Sequence, residues 1–348
     1  MSIQLASVSK SFDAHKALNS VSLSIEDGTF FVVLGPSGCG KSTLLRAIAG
    51  LEPVDAGEIK LSGQAVAGKG LHLPPEQRQV GVVFQSYALW PHMNVAANVA
   101  FPLETAGETR SAVAARVAEC LETVALTPFR QRKPAELSGG QRQRVALARC
   151  LAQGARTVLM DEPLANLDPH LRSTMEEELA AFHRASGATT LFITHDQREA
   201  MALADKVAVM WDGSILQADD PDTLYRRPNS KKVAGFIGRS TLVPVDVLRV
   251  ENGEAQVRFG NVIAVVDCPD QTVSGPATLL LRPEHLVLAT GTSGFEATVE
   301  RTIYRGGYWE VFVRLEGLSQ PLLMVLHRKA DPGEVLQLDI LRGWVLPE

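Results

Sequence analysis

Eight consecutive residues, Gly35-Pro36-Ser37-Gly38-Cys39-Gly40-Lys41-Ser42, carry the most specific chemistry in the chain. Their spacing satisfies G-x-x-x-x-G-K-[ST], and Thr43 follows. The glycines let the backbone curl so that successive N–H groups point inward, a cradle for phosphate oxygens. A helix starting where the loop ends adds its partly positive N-terminus. Lys41 supplies a mobile point charge for the β- and γ-phosphates of a nucleotide, and the Ser42 hydroxyl is placed to ligate Mg²⁺. Farther along, Asp161-Glu162 follows the apolar run Thr157 to Met160. In an open α/β sheet a carboxylate at the C-terminal edge of a neighbouring strand faces such a loop. Asp161 is therefore expected to hold the metal through water, and Glu162 to polarise an attacking water as general base.

The elements needed to hold these groups are legible around them. Thr29 to Leu34 is a continuous apolar run that leads straight into the glycine-rich loop, as a strand buried on both faces does. Thr157 to Met160 and Thr189 to Thr194 read the same way, with a helix expected over about Pro169 to Ser186 between them. Ile3 to Val8 and Val21 to Ile25 alternate apolar and polar residues, as half-buried strands do. Val113, Val117, Cys120, Leu121 and Val124 recur at helical spacing and predict an amphipathic helix over Thr109 to Leu126. A further helix is expected after Ser138-Gly139-Gly140. Strand signals are scarce between about residues 86 and 155, which predicts a helical insertion in a mostly parallel α/β domain.

Composition agrees with two folded domains. The chain has 348 residues, of which 45% are hydrophobic and 21% charged, with a formal net charge of -5. That weak acidic excess excludes a strongly basic nucleic-acid coat. No apolar run approaches the roughly 18–20 residues that span a bilayer, and no basic-then-apolar leader pattern is expected at the N-terminus. Cys39, Cys120, Cys150 and Cys268 are scattered without a CxxC pair, so reduced thiols are expected rather than a zinc or redox site. After about residue 235 the texture changes to short alternating strands, with turns at Asn252-Gly253, Ser274 to Pro276, Gly291 to Gly294 and Asp331 to Gly333. Residues 236–348 are thus expected to form a small all-β barrel or sandwich after an α/β domain over 1–235.

Leu137-Ser-Gly-Gly-Gln-Arg-Gln-Arg144, together with the phosphate loop and Asp161-Glu162, resembles the ATP-binding cassette (ABC) ATPases over about residues 1–235. Leu137 to Arg144 looks like the family's signature motif. In the family's order Gln85 matches the Q-loop, Asn166-Leu167-Asp168 the D-loop, and His195 the switch histidine. The wording is most similar to the ATPase subunits of bacterial importers for maltose, polyamines, sulfate and ferric iron, notably at Phe84 to His92 and Thr194 to Gln197. Residues beyond about 235 look like those importers' OB-type domain, at Gly235 to Gly238 and Leu281 to His285.

The resemblance implies an α/β phosphate-loop ATPase that hydrolyses ATP with Mg²⁺. It implies that Phe12 stacks on adenine, that Gln85 completes the metal shell, that His195 contacts the γ-phosphate, and that Asp168 positions the opposite subunit's loop. Ser138, Gly139, Gly140 and Gln141 offer a hydroxyl and bare N–H groups at a helix start, a second anion cradle. In the family that cradle closes on the nucleotide of the other copy, which makes a homodimer. Integral membrane permease subunits, and indirectly a solute-binding protein, are the implied partners, at the cytoplasmic face of a bacterial inner membrane, with no nucleic acid. The apolar, aromatic segment Ser86 to Val95 is expected to form an exposed groove for a short helix of the membrane partner. Asn98 matches half of the family's Glu-Asn pair there, and Ala97 replaces the Glu. The β-domain is expected to strengthen dimerisation or bind a regulatory ligand. The alternatives are an ATPase of the same family that moves nucleic acid or ribosomes, and a nucleotide sensor that does not hydrolyse. A single cassette without heptads argues against the first, and the presence of Glu162 and His195 against the second. Cys39, inside the loop and next to a helix start, is expected to have a lowered thiol pKa and to react readily.

Overall fold

The computed structural model describes residues 1–165, 169–289 and 294–347. The chain divides into two compact units, Met1–Pro221 and Asp222–Glu348.

The first unit opens with a long antiparallel hairpin of β1 (Ile3–Phe12) and β2 (His15–Ile25), with Ile3 opposite Ile25 and Phe12 opposite His15. All five residues of β3 (Phe30–Leu34) are buried, as its unbroken apolar run requires. The glycine-rich loop follows it and leads into α1 (Lys41–Ala49). Strands β4 (Ala56–Leu61), β5 (Gln64–Gly68) and β6 (Leu71–His72) complete an antiparallel sheet in the order β2-β1-β4-β5-β6. Then come β7 (Val80–Val83) and three helices, α2 (Val95–Thr105), α3 (Arg110–Thr123) and α4 (Gly139–Ala152). The unit ends with β8 (Thr157–Asp161), α5 (Pro169–Ser186), β9 (Thr189–Thr194), α6 (Gln197–Leu203), β10 (Lys206–Trp211) and β11 (Ser214–Asp219).

The second sheet runs β11-β10-β3-β9-β8-β7. Its four pairings from β10 to β7 are all parallel, and β10–β11 is antiparallel. The helical insertion has its own core. Val113, Val117, Cys120 and Leu121 of α3 pack with Val95 and Val99 of α2 and Val145 and Ala148 of α4. Helix α3 is shorter than its apolar spacing predicts. Thr109 caps its N-terminus by accepting from the Ala112 N–H, and the chain leaves the helix at Val124, where Ala125 takes a φ of +53°.

The second unit contains two short helices, α7 (Pro221–Arg226) and α8 (Lys231–Phe236). Strands β12 (Thr241–Glu251), β13 (Glu254–Phe259), β14 (Val262–Asp267) and β15 (Gly275–Leu281) come next, then β16 (Leu286–Leu288), β17 (Phe295–Tyr304), β18 (Trp309–Arg314), β19 (Leu322–Leu326), β20 (Val335–Ile340) and β21 (Trp344–Val345). Five of these close a barrel in the order β12-β13-β14-β21-β15, and a five-stranded sheet runs β16-β20-β17-β18-β19. One core joins both, with Val257, Phe259 and Leu279 among its barrel residues and Val311 and Leu336 among those of the sheet.

The division at Pro221 lies earlier than the change of texture near residue 235. Arg282 explains why α7 and α8 group with the barrel. Its side chain is 1% exposed and donates to the carbonyls of Tyr225 in α7 (2.6 Å) and Ala234 in α8 (3.5 Å). The Trp344 indole donates to Pro228 O at 3.0 Å. Of the turn segments, residues 291–293 lie outside the described residues.

Candidate functional site

Four adjacent parallel strands bring the reactive groups to one edge. In the order β3-β9-β8-β7, the phosphate loop leaves the C-terminal end of β3, His195 follows β9, Asp161 ends β8 with Glu162 next, and Gln85 lies in the turn after β7. Residues more than a hundred positions apart thus share one crevice, where ligands of open α/β sheets bind.

The loop is held rigidly. Lys41 is 5% exposed, and its ammonium donates to Gly35 O (2.8 Å) and Pro36 O (2.9 Å). Gly40 caps α1 with a φ of +106°. A side chain there would put Cβ 2.2 Å from Ala17 O and 2.9 Å from Met210 Cε, so glycine is required by both conformation and space. The Gly213 N–H donates to Cys39 O at 3.0 Å, which braces the loop from the β10–β11 hairpin. At the other end of α1, Arg78 donates to Ala47 O (2.6 Å) and Ile48 O (2.9 Å), a cation on helix carbonyls.

Ser42 Oγ donates to Asp161 Oδ1 at 3.0 Å. Burial pushes the Asp161 carboxyl above the usual carboxylate range, against the Ser42 hydrogen bond. A half-buried carboxylate beside a hydroxyl fits a divalent cation that takes its remaining oxygens from phosphate and water. Among the described residues no group of three or more His, Cys, Asp and Glu gathers to bind a metal alone. Next to Asp161, Glu162 adopts a φ of +45° and donates its N–H to Ile193 O at 3.1 Å. Its Oε2 lies 3.2 Å from His195 Nδ1. A left-handed glutamate held this way is the kind of local strain that accompanies function.

With that geometry in place, the comparisons with known proteins are informative. A model of the ABC transporter family matches residues 18–165, and one of the TOBE domain matches residues 279–345. The chain is 45% identical to the spermidine/putrescine import ATP-binding protein PotA of Pseudomonas fluorescens, over 88% of this chain and 86% of that protein. It is 41% identical to the Fe(3+) ions import ATP-binding protein FbpC of Brucella abortus, over 97% and 94%. The chain belongs to the ATP-binding cassette transporter family.

Among solved structures, the dimeric post-hydrolysis state of the cassette MJ0796 bound to ADP and Pi superposes with a TM-score of 0.55. It is 30% identical and covers 63% of this chain and 98% of that one. The protein is the ATP-hydrolysing subunit of an ABC import complex. None of its helices, among the described residues, is long and apolar enough to cross a membrane.

The other expected site residues of this ABC ATPase fall as follows. Phe12 is 44% exposed, with Lys10 Nζ 5.2 Å from its ring centroid, so it is not a core residue. Gln85 is exposed. Ser138 is an exposed N-cap of α4. It accepts from the Gln141 N–H (3.3 Å), and the Gln141 side chain accepts from the Ser138 N–H (3.0 Å), a capping box. Asp168, with the rest of residues 166–168, lies outside the described residues.

One expectation needs revision. Cys39 is 4% exposed, and burial pushes its thiol up rather than down, although Lys41 opposes the shift. The helix starts only at Lys41, so its N-terminal field does not overcome desolvation of the thiolate. Maleimide is therefore expected to label Cys39 slowly at neutral pH and faster as pH rises past the ordinary thiol range. Rapid stoichiometric labelling at neutral pH, read by intact mass, would show that the loop opens. The segment Ser86 to Val95 is also more anchored than its composition suggests. Tyr87 is buried, and Arg149 donates to Ala88 O at 2.8 Å. Asn98 is fully buried, accepting from the Trp90 N–H (2.8 Å) and donating to Asn94 O (3.0 Å). Trp90 stays 43% exposed. A groove of about 370 Å³ also lies between α2 and α3, where Ala97, Ala100, Val113, Val117 and Leu121 line it.

Proposed function

We propose that two copies of this ATPase close head to tail, the Ser138-Gly139-Gly140 lip of each meeting the nucleotide held by the other. The supporting observation is the split geometry. One crevice gathers Lys41, Ser42, Asp161, Glu162, His195 and Gln85, while Ser138 stands exposed at the start of α4 in the helical insertion. In this reading the loop amides and Lys41 bind the phosphates, Phe12 stacks on adenine, and Ser42, Asp161 and Gln85 hold Mg²⁺. The metal supplies charge neutralisation for the phosphates. Glu162 accepts a proton from the attacking water, and His195 orients that carboxylate and the γ-phosphate. The family resemblance assigns Asp168, which lies outside the described residues, a role at the same dimer interface.

The α2–α3 groove, apolar with a polar rim, supports docking of a short helix of an integral membrane permease, and in this reading the subunit works at the cytoplasmic face of a bacterial inner membrane. Relatives named for polyamine and for ferric-iron import are 45% and 41% identical. Cargo choice therefore resides in the permease and a solute-binding protein, and nucleic acid has no part. Adding Ser138→Arg to Glu162→Gln tests the split site. Sedimentation is expected to show loss of the ATP-dependent dimer, with nucleotide binding by the monomer retained. Loss of nucleotide binding itself would place Ser138 in its own chain's site and refute the arrangement.

A further inference from the structure

A carboxylate that no part of the site described so far requires is buried beside the switch histidine. Glu199, in the first turn of α6, is 3% exposed. Burial raises its pKa, with Asp196 and Glu176 adding to the shift and Arg172 opposing it. Burying a carboxylate is costly, and an apolar residue of similar volume is often at least as stable. A charge kept in such a place calls for a role in geometry.

Its contacts supply one. Thr194, the last residue of β9, donates its hydroxyl to Glu199 Oε2 at 2.5 Å and accepts the Asp196 N–H at 2.9 Å. Arg172, in the first turn of α5, reaches both acids, with Nη1 2.9 Å from Asp196 Oδ2 and Nε 3.7 Å from Glu199 Oε1. Asp196 also caps α6 by accepting from the Arg198 N–H at 2.8 Å, and Arg198 Nη2 pairs with it at 3.0 Å. His195 lies between Thr194 and Asp196, both of them fixed, while its own side chain is 54% exposed. Its ring meets the Glu162 carboxylate, with Nδ1 3.2 Å from Oε2.

We infer that Glu199 and Arg172 are positioning residues that clamp Thr194 and Asp196 and so hold His195 at Glu162. This inference rests on the reading of His195 given above. Residues one link removed from the reacting atoms act through orientation, and a misplacement of about 1 Å can lower a rate by about 10²-fold. None of the frame contacts given above involves the phosphate loop, so nucleotide affinity should be spared.

The test is a double-mutant cycle on ATP turnover, with melting temperature recorded for every variant. Arg172→Met and Glu199→Gln are expected to lower kcat by roughly ten- to a hundredfold with KM for ATP within about twofold of native. Arg172→Lys, which keeps the charge, is expected to recover part of the loss. In a His195→Ala background, Arg172→Met is expected to have no further effect. An equal loss in both backgrounds, or a rise in KM with kcat unchanged, overturns the clamp and leaves the reading of His195 standing. Should His195→Ala alone turn over at the native rate, that reading fails and the clamp with it. If Glu199→Gln does not fold, the two Arg172 variants decide the matter.

Discussion

Glu162→Gln is expected to lower ATP turnover by about 10²- to 10⁴-fold while nucleotide binding survives. The amide occupies nearly the same volume and remains able to reach His195, so the site keeps its shape. It loses the oxygen that, in the proposed role, takes the water's proton. The φ of +45° is common to both residues, so the substitution should leave the backbone strain and the melting temperature almost unchanged. Asp161, Ser42 and Lys41 stay in place, and the phosphate cradle is untouched. A second consequence follows from linkage. In the proposed cycle ATP shifts the population toward the closed dimer only through its greater affinity for that state, and hydrolysis removes the difference. With hydrolysis blocked, dimers should accumulate in Mg-ATP and disperse in Mg-ADP, which light scattering after gel filtration reads directly. Near-native turnover by this variant would move the general base to another group.

The edge proposed to be catalytic was legible because its residues stand at the ends of apolar runs. Phe30 to Leu34, Thr157 to Asp161 and Thr189 to Thr194 are strands, and the loop, Glu162 and His195 follow them directly. A strand buried on both faces has a one-dimensional signature, and the direction of the chain then says which end carries the chemistry. The family resemblance added Phe12, Gln85 and Ser138, none of which local pattern would single out. What escaped depends on contacts distant in sequence. The strands between Ala56 and His72 are short and interrupted by turns, and the partner of the first of them, β1, lies some fifty residues upstream of β4. The assignment of α7 and α8 hangs on Arg282, a residue within the barrel's own sequence. The Cys39 thiol follows the same rule. Its position in the loop suggested an activating field, but the burial that decides its ionisation is a property of the packed structure.

Gly40→Ala is expected to abolish measurable ATP binding and to destabilise the first unit, more than Gly38→Ala does. The two glycines separate conformational strain from steric overlap. Gly38 has a φ of +80° with nothing within 4 Å of an added Cβ, so alanine there meets only the left-handed penalty of about 1–2 kcal/mol. Gly40, at +106°, meets that penalty and a backbone oxygen at 2.2 Å. Ala17 O belongs to β2 and cannot rotate aside, so either the hairpin or the loop must shift. The loop is the weaker of the two, because its hold on α1 passes through Gly40 itself. A displaced Gly40 tilts the amides that face the phosphates and disturbs Lys41, the next residue, on its two carbonyls. A total loss of about 3 kcal/mol corresponds to roughly 6–12 °C in melting temperature for a unit of this size. Calorimetry with titration of a fluorescent ATP analogue measures both effects. The decisive comparison is the order of the two variants, since equal behaviour of Gly38→Ala and Gly40→Ala would mean that the contact with Ala17 does not shape the phosphate cradle.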